Sequence, residues 1–155
     1  MSAMKSLSLL FALACAATTA SLGWAQTLAA NQALAFGSFA PGASSGTVTI
    51  SAVGARSSGG GVFLVPSGAG AAASYTVGGT SSATYAITLP SNGVVVLASG
   101  PNSMAVNNFT SSPVGGGLIG GGGTQTLTVG ATLTVGASQA TGGYSGNFIV
   151  TVEYN

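Results

Sequence analysis

Beyond the first few residues, only two side chains could take part in acid–base or ionic chemistry: Arg56 and Glu153. The 155-residue chain has two Lys+Arg, one Asp+Glu, no His and one Cys, and Lys5 and Cys15 both fall in an N-terminal leader. General acid–base catalysis, nucleophile activation and metal ligation draw on His, Cys, Asp, Glu and Lys. After the leader, Glu153 is the sole member of that set. The many serines and threonines have no base to activate them. The composition argues against an enzyme and predicts neither cofactor nor metal. A lone arginine excludes a basic patch for nucleic acid or an anionic membrane. An exposed Arg56–Glu153 pair would contribute under about 1 kcal/mol.

The other stretch that invites a chemical reading is Gly115 to Gly123, GGGLIGGGG. A phosphate-binding loop of the P-loop kind needs Lys and Ser/Thr after its last glycine, and Lys is absent here. A dinucleotide fingerprint needs a following helix and an acidic residue about 20 positions on, and neither follows. The run reads as a flexible loop.

Residues 1–25 have the form of an export signal. MSAMK is a short basic start, LSLLFALACAA (Leu7 to Ala17) an apolar segment of suitable length, and small residues follow, with cleavage after Ala20 or Ala25 both acceptable. The apolar segment is too short for a membrane span, and no later one qualifies. The exported chain then has no cysteine, hence no disulfide and no reactive thiol. Its side-chain charge is one base against one acid, which favours association over dispersal. The expected localisation is secreted: periplasm, then cell surface or medium.

What must position the remaining residues is a set of strands. In the last run, GGYSGNFIVTVEYN, Tyr144, Phe148, Val150, Val152 and Tyr154 fall on one parity, and the other is polar apart from Ile149. Alternation of this kind predicts a β-strand with one buried face, continuing to the end of the sequence. Leu34, Phe36 and Phe39 predict a first apolar strand stopped at Pro41-Gly42, and strands follow at 46–52, 62–65, 73–78, 83–89, 93–98 and 104–109. TLTVGA occurs twice over 126–137, and because six is even, Leu127, Val129, Leu133 and Val135 share one face while the threonines share the other. Two copies are too few for a solenoid, so this is one long strand with a bulge option at Gly130. No segment after the leader has a capped 3.6-residue apolar stripe. The expected fold is all-β, an immunoglobulin-like β-sandwich of eight or nine strands in a single domain over 26–155.

Three stretches carry a resemblance: LAFGSFAPGASSGTVTI, YAITLP, and the run from VGATLTVGASQATGG to the end. Together they resemble the secreted bacterial DUF4402 family over about residues 34 to 155. That family is similar to spore-coat-U-type and chaperone–usher fimbrial subunits. Fimbrial subunits end in alternating hydrophobics, with a penultimate aromatic and a glycine fourteenth from the end; here these are Tyr154 and Gly142, with Phe148, Val150 and Val152 between. The core disulfide of the best-known type has no counterpart. The resemblance implies that Gly142, Phe148, Val150, Val152 and Tyr154 meet another subunit or a periplasmic chaperone. It also implies an outer-membrane assembly protein as a partner.

The segment before the domain is the candidate donor strand, residues to about 33. Leu22, Trp24, Leu28, Ala30 and Leu34 fall in one register, with Gln26 and Gln32 as breaks. The expected function is a structural subunit of a filament, pilus or surface coat, joined to copies of itself by β-strand addition. The alternative is a monomeric, secreted, adhesin-like or ligand-binding sandwich. A third reading, a threonine face for ice or glycan, rests on the short repeat alone.

Overall fold

The computed structural model describes residues 25–155, so all but the end of the expected leader, with Leu22 and Trp24, lies outside the described residues. Those residues form ten antiparallel strands and no helix, against the eight or nine expected. They are β1 (Thr27–Gln32), β2 (Phe39–Ile50), β3 (Arg56–Leu64), β4 (Ala73–Gly78), β5 (Thr84–Thr88), β6 (Val95–Ser99), β7 (Asn102–Ser112), β8 (Gly116–Leu118), β9 (Thr124–Val135) and β10 (Thr151–Tyr154). The arrangement is a sandwich: a seven-stranded sheet in the order β1-β4-β9-β2-β3, extended by β7 and β6, faces a three-stranded sheet β10-β5-β8.

The large sheet is organised around β9, the doubled TLTVGA run. Val129 pairs with both Ala73 and Ser111, so β4 and β7 lie on opposite sides of β9 there. Leu133 pairs with both Val48 and Val106, so β2 and β7 lie on opposite sides further along. One side of β9 is thus shared end to end by β4 and β2. The handover is at Gly130, where a Cβ would strike the Ile50 carbonyl oxygen and the Ser51 and Ala52 backbone. The strand runs on without a bulge, and the glycine admits the neighbouring chain where β2 turns away.

Parity along β9 decides burial. Leu127, Val129, Ala131, Leu133 and Val135 are all 1% exposed or less. On the outer face Thr49 and Thr132, register partners on β2 and β9, hydrogen-bond through their hydroxyls at 3.0 Å.

Several expected boundaries move. The first strand does not form at Leu34; residues 36–38 lie in no ladder, and Phe36 buries as an isolated plug. Pro41-Gly42 does not stop β2, which passes through them with a register shift against β3 between Pro41 and Gly46. Within the glycine run, Gly116 to Leu118 pair with β5, and Ile119 is 1% exposed, so half of the expected loop is core-forming strand.

The core has two centres. One gathers Phe36, Val48, Ile50, Val62, Val95, Met104, Val106 and Leu133. The other gathers Ala73, Val77, Tyr85, Ile119, Leu127 and Val129. The second lies between the two sheets, since Tyr85 belongs to β5 and the rest of its strand residues to β4 and β9. Every strand residue of the first belongs to the large sheet. Its cover comes from two extended segments instead, through Leu34, Phe36, Tyr144 and Phe148.

Candidate functional site

The two covering segments leave a cleft between them. It measures about 930 Å³ and is walled by residues 33–39 on one side and 139–148 on the other. Val95, Leu97, Met104, Val106 and Leu133 line its floor, all apolar and from strands β6, β7 and β9. Each wall is held from behind. Ala35 and Ala71 exchange two backbone hydrogen bonds, at 2.9 and 2.8 Å, and Ser145 and Ala98 exchange two more, at 2.8 and 3.1 Å.

The first wall is also tied by Arg56. Its guanidinium donates to the carbonyls of Ser38 (2.6 Å), Val65 (3.4 Å) and Gly68. Its Nε is buried without a partner. The cation that could have paired with Glu153 is thus committed to backbone oxygens, which it draws together across the bend between β3 and β4. The second wall is tied by a chain of polar groups. Gly136 N–H donates to Gln139 Oε1 at 3.3 Å, Gln139 Nε2 donates to the Tyr144 hydroxyl at 2.9 Å, and that hydroxyl donates to the Ala140 carbonyl at 2.7 Å.

The expected terminal strand from 142 onward needs correction. Only Thr151–Tyr154 forms a strand, pairing with β5; Gly146 to Val150 have no strand partner. The reason is a change of sheet: Ser145 bridges to β6 of the large sheet, whereas Thr151 pairs with β5 of the small one. Gly146 begins the crossing, pressed so close to β6 that a Cβ would meet the Val96 carbonyl oxygen. The parity nonetheless persists. Tyr144, Phe148, Val150, Val152 and Tyr154 are half-buried, while the intervening odd-numbered residues are exposed, Ile149 at 79%. Phe148 touches both core centres and packs against Phe109 with ring centroids 5.2 Å apart. Val150, Val152 and Tyr154 pack on the second centre only. Gly142 lines the cleft beside Ser99.

The candidate donor residues divide. Leu28 and Ala30 lie on β1, which pairs with β4 of its own chain: Leu28 faces Val77 and Ala30 faces Tyr75. The register then shifts between Ala30 and Gln32, which breaks the single parity expected from Leu28 to Leu34. Leu34 leaves the strand and packs against both core centres. All six residues of β1 are exposed. The sequence singled out the aromatic wall but missed the floor, because β6, β7 and β9 each read as ordinary strands. The one available signal was the number of apolar side chains on strands of a sheet that has too few strands opposite it.

No group of three or more His, Cys, Asp or Glu residues is gathered among the described residues, and no described helix is long and apolar enough to cross a membrane. Fold and cleft together define a small all-β sandwich whose distinctive feature is an open apolar groove. The chain belongs to the family described as Domain of unknown function (DUF4402), whose profile matches residues 27–154. No curated protein and no solved structure matches it.

Proposed function

We propose that the protein is a non-enzymatic structural subunit of an extracellular filament, pilus or surface coat, and that its subunits join by β-strand addition. The observation that carries this reading is the cleft: an apolar floor flanked by extended backbone, on one side of which Gly146 to Val150 have no strand partner. Such a slot suits an extended peptide, whose main chain pairs with the walls while alternate side chains enter the floor. Unpaired backbone next to apolar side chains is costly to leave open, and pairing with another chain removes that cost. The near-absence of charge supports the reading, because nothing electrostatic keeps copies apart. The fimbrial and spore-coat likeness, the export signal, a periplasmic chaperone and an outer-membrane assembly protein belong to the same proposal.

One observation favours a second reading, a monomeric secreted binding module. Strand β1 already completes the β4 edge within a single chain. Electron microscopy and size-exclusion chromatography of the exported protein separate the two. Fibres or large polymers are expected; a stable monomer at high concentration would overturn the filament reading in favour of the second.

A further inference from the structure

We propose that β1 is an exchangeable strand: the β4 edge on which it lies accepts β1 of a second copy in the same register. This deepens the strand-addition reading above and names its moving part. The argument begins with what holds β1. All six of its side chains are exposed, so it contributes nothing to either core centre. It is retained by the main-chain ladder to β4, by Asn31 Nδ2 donating to Thr76 Oγ1 at 2.8 Å, and by the Tyr154 hydroxyl 3.1 Å from the Thr27 carbonyl oxygen. A second copy carries the identical segment and can remake every one of these bonds, so exchange changes partners without changing contacts.

The seat is also selective. Register partners share a face of the sheet, so Leu28 and Ala30 point the same way as Val77 and Tyr75, which belong to or pack on the second core centre. Leu28 remains 39% exposed there. Neither TLAANQ nor ASYTVG carries a charge that would repel a foreign copy. A hinge stands next to the strand: Leu34 and Phe36 anchor the chain in the core, and between them and β2 lies Gly37 at φ +70°. Such a backbone favours glycine and lets the chain leave the domain in a new direction. The seat on the chain's own β4 has the advantage of proximity, an effective concentration on the order of millimolar for a short linker. Exchange is therefore expected where copies are crowded or fold together.

The test uses two single variants in a C15S background. L28C and V77C proteins are unfolded together, refolded together at high concentration and oxidised. Register partners on antiparallel strands have Cα atoms about 4.5–5.5 Å apart, within disulfide reach. Val77 is fully buried, so a foreign thiol reaches it only on a strand seated against β4. A disulfide-linked heterodimer is expected in at least about tenfold excess over L28C mixed with V94C, an exposed position that is not a register partner. Should V77C fail to fold, A29C with T76C, the adjacent exposed-side register pair, replaces it. A yield no higher than the control overturns the exchange. Fibres without cross-subunit disulfides likewise overturn it while leaving the strand-addition reading standing. A heterodimer from a protein that never polymerises supports the exchange and removes the filament.

Discussion

The hydroxyl of Tyr154 donates to the carbonyl oxygen of Gly78 at 2.8 Å, joining the end of the small sheet to the end of β4 in the large one. The same hydroxyl lies 3.1 Å from the Thr27 carbonyl oxygen, and the Tyr154 ring sits 6.2 Å from that of Tyr85. A Cβ on Gly79 would come within 3.2 Å of the ring, so the small residue there makes room for it. One side chain thus holds both sheets and the start of β1.

Tyr154→Phe should keep the ring packing and lose the hydroxyl, lowering unfolding free energy by about 1 kcal/mol. Phe148→Ala, which removes a ring shared by both core centres, should cost about 3 kcal/mol. Glu153→Gln and Asn147→Ala, on the exposed parity, should stay within about 0.5 kcal/mol. Chemical denaturation of the four variants checks the set, and equal losses on the two parities would contradict the orientation of the segment.

Arg56→Ala should be far more damaging than its single charge suggests. Three carbonyls lose a cationic donor at once, and hydrogen bonds to charged groups contribute about 1.5–3 kcal/mol each. We expect a loss of about 2–4 kcal/mol in denaturant titration, with Arg56→Lys recovering only part because an ammonium cannot reproduce the guanidinium fork. Amide exchange should rise over residues 34–38 and 65–70, which the fork draws together, and remain unchanged in β9.

Stability should fall on the alkaline side. Burial pushes Tyr85 above its ordinary value of 10.0, helped by the charge of a neighbouring Tyr154 phenolate, and burial alone pushes Tyr75 up. Folding therefore favours the protonated hydroxyls. This contribution is fully present below about pH 10, the unfolded value, and is lost as pH rises through the folded values. Melting temperature should stay level through neutral pH and drop above about pH 10, with Tyr85→Phe flattening that drop. A decline beginning near pH 7 would point to another group.

Much of this architecture was legible because strands announce their faces. The even-parity run from Tyr144 to Tyr154 is half-buried as its alternation required, and Ala73–Gly78 begins and ends where the sequence placed it. The doubled repeat is a single strand with Leu127 and Leu133 inward, as six-residue periodicity demands. What alternation does not encode is the partner. Gly146 to Val150 keep perfect parity yet pair with nothing, because the chain is changing sheets, and only the distant β5 and β6 determine where. Gly116 to Leu118 form a strand against every local preference because Tyr85 leaves room only for glycine, its oxygens occupying the places where Cβ atoms would go. The cleft is likewise a property of what is missing opposite a sheet. No residue in its floor differs from an ordinary core residue.

The commitment of Arg56 to three carbonyls has a consequence for the environments this domain can tolerate. With that cation turned onto its own backbone, Glu153 is the one ionisable acid or base side chain facing outward among the described residues, and the chain contains no histidine. Brine has almost no exposed charge to screen, and mild acid no switch to protonate. Material built from this domain would keep its cohesion through changes in salinity and acidity that loosen proteins held by ion pairs. It would respond instead to agents that solvate apolar and peptide groups.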